Sequence, residues 1–497
     1  MADNMFPADV NANAIAAWLS ELGGLPQVQA AHQLHHALKE LKSAPIAPEQ
    51  LLQTLQQLSP LTLHFCHNLP AAALAEPLQN GKALKLAKLI LQLPKQMSLL
   101  LCQLIESKSL SAATSGQAVY YALQMIGHAL RCHALCRETP STTLWKKTAF
   151  LYRHSVADPV FKQIQTSKIP EFKPQSTIES VLKRNLLFSL FTHQALCAEE
   201  TEAAFGLAGQ LAELLQISPQ RQNDTIFYWE VDKIYAPMLL PHPRKPVSFS
   251  AVFLEVQRLG QELQLGTMHT RLSTASLNRL ALAFTGHRKV FNAIVPGPPL
   301  PSRLIGGFAD ICNFVQELNK LLRIMDLSAQ LRNDDARSYG YSLVPLEHQR
   351  STFAMPPNLL QKQQGGRQVN VMKTTSGAYL IAENRNLDFR TGDLGLLYRE
   401  QHPLTLSIIR QQVDNQNACQ LLLEPIPGTC TCYPIAGNSH ALLIGEQGPN
   451  PQVFLHGGKY AVGDEIQFSL GPKIRLTACL ESTPYYSRFN CQFPAPG

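Results

Sequence analysis

Thr374, Ser376 and Gly377 sit at a strand junction in the stretch VNVMKTTSGAYLIAENRNLDFRTGDLGLLYRE, which begins at Val369. Side-chain hydroxyls and bare backbone N–H groups that a ligand can approach closely suit a phosphate or a guanine edge. An arm carrying Arg332, Arg337 and Arg350 precedes this turn, and Arg367 stands at the entrance to the strands. Arginines on such an arm can fold over an anion and supply bidentate and stacking contacts. On the residues alone, Thr-Thr-Ser-Gly is also ordinary hairpin chemistry, and this structural reading outweighs the ligand site.

The other constellations are weaker. His128, Cys132 and Cys136 fall at i, i+4 and i+8, so one helical face could offer one nitrogen and two sulfurs to a metal. A fourth ligand is missing, and the expectation is a core helix whose small apolar positions are cysteine. Cys430 and Cys432 share a strand face, where such pairs are ordinarily just packed. The histidines His32, His35 and His36 read as a solvated helix face near Glu40. Gly286-His-Arg-Lys289 reads as a basic helix end favouring the helix dipole rather than a phosphate site. The sequence has no G-x-S-x-G, H-E-x-x-H or P-loop. The expectation is therefore a protein that is not an enzyme. A cryptic enzyme using His128 or His287 has only the presence of those histidines in its favour.

The elements that would position these groups fall into two periods. From about Asn11 to Asn333 apolar residues recur at helical spacing, as in Ile15, Trp18, Leu19 and Leu22. The stripe continues through Gln117–Cys136, Ile178–Cys197, Glu202–Leu215, Phe249–Leu263 and Ile305–Leu327. Ser176-Thr-Ile-Glu179 fits a capping box. The octet Asp224–Val231 interrupts the helices and predicts a short strand or extended connection. From Gln368 onward, short alternating segments are separated by Gly, Asn and Pro, which predicts a small barrel or sandwich. The expected division is a helical region over 1–222, a second helical segment over 223–331, a linker arm over 332–360 and a barrel over 361–497. The fold class expected is multidomain α+β.

Composition narrows the function classes. The chain has 497 residues, long enough for several domains, and charged residues make up only 16%. A net charge of +7 without basic runs does not suggest a nucleic-acid binder. No stretch is apolar enough to predict a membrane span. The start MADNMFPADV lacks the features of a signal peptide, and the 11 cysteines are odd in number. The expectation is a cytoplasmic protein with reduced thiols.

The C-terminal residues resemble the PilZ family of bacterial receptors for cyclic di-GMP. The family carries an Arg-x-x-x-Arg arm before a small β-barrel and an Asp/Asn-x-Ser-x-x-Gly turn on an early strand pair. Thr391-Gly-Asp-Leu-Gly-Leu-Leu and Leu406-Ser-Ile-Ile-Arg410 echo its later steps, and Ala441-Leu-Leu-Ile and Val462-Gly-Asp-Glu-Ile continue them. Thr177-Ile-Glu-Ser-Val-Leu-Lys-Arg-Asn-Leu-Leu-Phe-Ser-Leu-Phe is similar to the helical region of the family's long form. The resemblance implies a PilZ-like antiparallel barrel and cyclic di-GMP as ligand. It also implies that Arg350 clamps over Thr374–Gly377, with Arg367 and Arg410 as further phosphate contacts. Both motifs are altered: Met372 replaces the Asp or Asn, Thr374 the Ser, and Leu346 stands four residues before Arg350. The alternative expectation is an interaction scaffold that binds a protein partner and no nucleotide.

Overall fold

A computed structural model describes residues 6–7, 10–74, 81–285, 294–318, 320 and 366–493, apart from single positions and short runs within them such as 193–195, 241–247, 375–376 and 384–386. The chain divides into two compact units, one formed by 1–194, 198–272 and 279–288, the other by 195–197, 273–278 and 289–497.

The first unit opens with helices α1 (Ala12–Gly23), α2 (Gln27–Leu41), α3 (Pro48–Leu74), α4 (Gly81–Glu106), α5 (Ala112–Leu135) and α6 (Thr142–Ser155). The apolar stripe read in the sequence is the buried face of α1, through Ile15, Trp18 and Leu22, and Asn11 caps it by accepting from Ala14 N at 2.9 Å. Helix α5 is apolar on most sides and is buried accordingly, packed by α3, α4, α6 and the later helices. A short ribbon of β1 (Ile164–Thr166) and β2 (Gln175–Thr177) leads into α7 (Ile178–Thr192), which packs on α5 and α8 (Ala198–Leu211).

The capping box expected at Ser176 is shifted by one residue. Thr177 Oγ1 accepts from Ser180 N at 3.0 Å, while Ser176 pairs in the ribbon. Glu179, read as the box's carboxylate, forms an i,i+4 ion pair with Lys183 at 2.9 Å.

A four-stranded antiparallel sheet follows: β3 (Gln216–Ser218), β4 (Phe227–Glu230), β5 (Met238–Leu239) and β6 (Ala251–Glu255), in the order β3-β6-β4-β5. Strand β4 is the extended segment expected within Asp224–Val231. The helix expected over Phe249–Leu263 divides into β6 and α9 (Gln257–Leu265). Every residue of β6 is buried, and an unbroken apolar run has no period with which to separate strand from helix. Helix α10 (Thr274–Phe284) comes next.

The second unit holds a closed six-stranded antiparallel barrel. Its strands are β7 (Leu300–Gly306), β8 (Arg367–Lys373), β9 (Tyr379–Glu383), β10 (Leu394–Tyr398), β11 (Thr405–Asn415) and β12 (Ala418–Pro425), in the order β10-β11-β12-β9-β8-β7. β7 closes the ring by pairing with β10. The stretch Ile305–Leu327 therefore begins as a strand, and its helix starts only at 308, running through 318. Alternation puts Leu304, Val369, Val371, Ile381, Leu397, Ile409, Leu421 and Leu423 inside the barrel with Phe389. Gly306 makes room for that ring, because a Cβ there would stand 2.1 Å from it.

A second antiparallel sheet comprises β13 (Cys430–Ile435), β14 (Ser439–Ile444), β15 (Gln452–His456), β16 (Glu465–Gln467), β17 (Lys473–Ser482) and β18 (Tyr486–Gln492), in the order β13-β14-β15-β18-β17-β16. Its two ends meet through an Ile435–Phe468 bridge, beside which Tyr433 stacks on Phe468 at 4.6 Å. The outer barrel face (Ile305, Leu396, Ile408), the 308–318 helix (Ile311, Val315) and the second sheet (Leu442, Phe454) share one core. The expected α+β class thus holds, with helices preceding an antiparallel barrel.

Candidate functional site

Strands β8 and β9 form the hairpin that carries the proposed ligand turn, with Met372 opposite Leu380 and Lys373 opposite Tyr379. Thr374 closes it twice: its backbone N and its Oγ1 both donate to Ala378 O, at 2.8 and 3.1 Å. Gly377 N donates to Thr374 O at 3.0 Å, and Gly377 has φ +86, a conformation that favours glycine. Thr374 is only 2% exposed, so its hydroxyl proton is spent inside the turn. On the far side of β8, Val295 N donates to Lys373 O and Ile294 bridges Thr374. Ser376 lies outside the described residues.

Arg367 is the first residue of β8, on the face shared with Leu304, Val369 and Val371. Its guanidinium lies 5.9 Å from the centre of the Phe389 ring. Arg303 occupies the opposite face of β7, where Nη1 reaches Tyr398 OH at 3.4 Å. Thr374 lies seven positions along from Arg367, a span of about 23 Å at 3.3 Å per residue. The barrel therefore places these two candidates at opposite ends of one strand, too far apart to share a single small ligand.

Arg410 stands in a third place. The β11–β12 pairing slips between Ile409 and Gln411, which makes Arg410 the extra residue of a bulge on the outer face. It is 3% exposed, and its donors are taken: Nε by Glu424, Nη1 and Nη2 by the two oxygens of Glu481, the latter at 3.1 Å. Burial opposes the charge, but Glu481, with Tyr486 and Glu424, holds the guanidinium pKa above the usual arginine value. This arginine ties the barrel to β17 of the second sheet.

Arg332, Arg337 and Arg350 lie outside the described residues, as do His287 and the rest of Gly286-His-Arg-Lys289. His128, Cys132 and Cys136 lie on or at the end of α5 and are all buried. Among the described residues, no group of three or more His, Cys, Asp or Glu is placed to hold a metal ion. The His32–His36 face is on α2, where His36 Nδ1 pairs with Glu40 at 3.2 Å near solvent. Cys432 is buried and Cys430 half-buried, packed with the core between barrel and second sheet.

The comparison with known proteins bears on the helical part. Residues 13–221 match the family model of the N-terminal domain of the cyclic-di-GMP receptor FimW. The match ends before the barrel and covers less than half of the chain. No curated protein and no solved structure matches. The FimW-like segment runs from α1 through β3, so it takes in Arg131 on α5, Arg184 on α7 and Glu202 on α8, a charged cluster around the buried Arg131 that reading for motifs passes over. The available signal was a charged residue inside an otherwise apolar helix, as in Leu130-Arg-Cys and Leu182-Lys-Arg-Asn-Leu186.

Proposed function

We propose that this protein is a non-enzymatic cyclic di-GMP receptor whose output passes to a protein partner. The observation that carries the reading is the FimW-like match over 13–221, joined in the same chain to an arginine-bearing arm and a closed antiparallel barrel. We read the barrel as PilZ-like. The arm enters the barrel at Arg367, so Arg350 and Arg367 supply the phosphate contacts at that end of β8. Thr374 and Gly377 then serve chiefly to close the hairpin, and Arg410 to join barrel and second sheet; Ser376 stays a ligand candidate. The described cysteines are free thiols, which suits a reducing cytoplasm.

Isothermal titration of the full chain with cyclic di-GMP tests this. The expected result is saturable heat, weakened by about tenfold or more in both Arg350→Ala and Arg367→Ala, since charge-assisted contacts of this kind contribute on the order of 1.5–3 kcal/mol. Flat heats at high ligand concentration would overturn it. The second reading, a scaffold without nucleotide, is favoured by the engagement of Thr374 and Arg410 within their own chain. It expects partner pull-down to survive Arg350→Ala with Arg367→Ala and to ignore added nucleotide.

A further inference from the structure

Between α3, α5, α7 and α8 the helical unit brings together, among the described residues, Arg131, Arg184 and one carboxylate, Glu202. Arg131 has a fully buried side chain, whereas its partner Glu202, at 2.9 Å from Nη1, is 44% exposed and reaches in from the surface. Nη1 also donates to His67 Nδ1 at 2.8 Å, and Nη2 to Cys66 O at 2.8 Å. As the acceptor, His67 is neutral; burial first, then the Arg131 charge, lowers its pKa to about 4. Arg131 Nε is buried and has no partner among the described residues, and neither has either ring nitrogen of buried His128.

Among the described residues Arg184 has neutral acceptors: Gln124 Oε1 at 2.8 Å from Nη1, and Asn185 Oδ1 at 3.0 and 3.2 Å from Nη2 and Nε. Burial pushes its pKa down to about 10. Both guanidiniums lie over one ring, Phe205, with Arg184 Cζ 4.7 Å and Arg131 Cζ 5.9 Å from its centre. His128 approaches the same ring at 5.3 Å. Gly127 lets α7 come this close, since a Cβ there would meet Arg184 Nη2 at 2.4 Å. Two arginines and Glu202 leave a net charge of +1 with donors unfilled. Arg410 shows the contrast, for there two carboxylates meet one guanidinium and each of its three nitrogens has a carboxylate partner.

We infer that Arg131, Arg184 and His128 form a seat for a phosphate group, which Glu202 partly fills when the seat is empty. A tetrahedral oxyanion can accept from several converging donors at once, whereas Glu202 engages Arg131 alone. Phe205, half-buried, packs against both guanidiniums. The site lies in the helical unit and involves none of the barrel residues, so it is independent of cyclic di-GMP binding at Arg367.

The test follows thermal stability and titration heat of the full chain with sodium phosphate, against sodium chloride at matched ionic strength. A parallel arm uses adenosine 5′-monophosphate, to distinguish a free ion from a phosphate ester. The expected result is saturable binding in at least one phosphate arm, weakened about tenfold or more in Arg184→Gln. Glu202→Gln removes the competing carboxylate at a partly exposed position and is expected to tighten binding several-fold. That gain cannot come from misfolding, so it protects the test if Arg184→Gln is unstable. No saturable binding in either arm, or binding unchanged in both variants, would overturn the inference.

Discussion

Arg410 and Arg184 are both arginines inside a fold, and their partners set them apart. Arg410 sits between Glu424 and Glu481 and is held in its charged form. Arg410→Ala would take from Glu481, itself 2% exposed, the guanidinium that both its oxygens engage. The expected loss is about 3–5 kcal/mol, read from the urea midpoint of the second unit's unfolding. Gly127→Ala forces a methyl against Asn185 Oδ1 at 2.3 Å, which should cost about 1–3 kcal/mol in the helical unit. None of this was visible as a motif. The sequence shows Arg184 and Arg410 equally, because the carboxylates that do or do not meet them come from positions far along the chain.

Among the elements, the legible ones had a clear period. The α1 stripe was read from its i, i+3, i+4, i+7 spacing, and those residues form the buried face of the helix. Strand β6, buried along its whole length, was read as helix, because its residues face protein in all directions and period disappears, and the helix read from Ile305 took in the last two residues of β7. The cap of α7 was misplaced by one residue, since Ser176 and Thr177 carry the same hydroxyl and only the path of β2 decides between them. Thr177→Ala is expected to cost about 1 kcal/mol and Ser176→Ala much less, measured by thermal melting.

At the scale of the whole molecule, β7 precedes the arm and the remaining barrel strands follow it. A fragment beginning at Gln361 therefore lacks β7 and bares the edges of β8 and β10. It is expected to aggregate, whereas a fragment beginning at Lys289 should give a monomeric β-type circular dichroism spectrum. The helical unit should also be acid-sensitive. His133 is 5% exposed, and burial, with Lys95 nearby, lowers its pKa to about 4; Glu138 at 4.0 Å is too far to offset this. Unfolded, it binds a proton near pH 6.5, so stability is full above that value and falls as pH drops from 6.5 towards 4. The loss from His133 alone is at most about 3 kcal/mol, and the depressed His67 and His128 act in the same direction. Urea midpoints that stay constant from pH 7 to pH 4 would contradict this.

By itself the sequence determined the class: helices first, short antiparallel strands after, and no helix among the described residues long and apolar enough to cross a membrane. Those properties follow from local period and composition, which a linear chain displays directly. Only the tertiary structure decided which chemistry the residues have left to offer. It spends the Thr374 hydroxyl within its own turn and sets Arg367 a strand's length away. It also engages every nitrogen of Arg410 with a carboxylate, yet among the described residues gives Arg184 and Arg131 a single carboxylate, Glu202. These outcomes depend on which distant residues meet in the folded chain, and sequence spacing does not encode that distance.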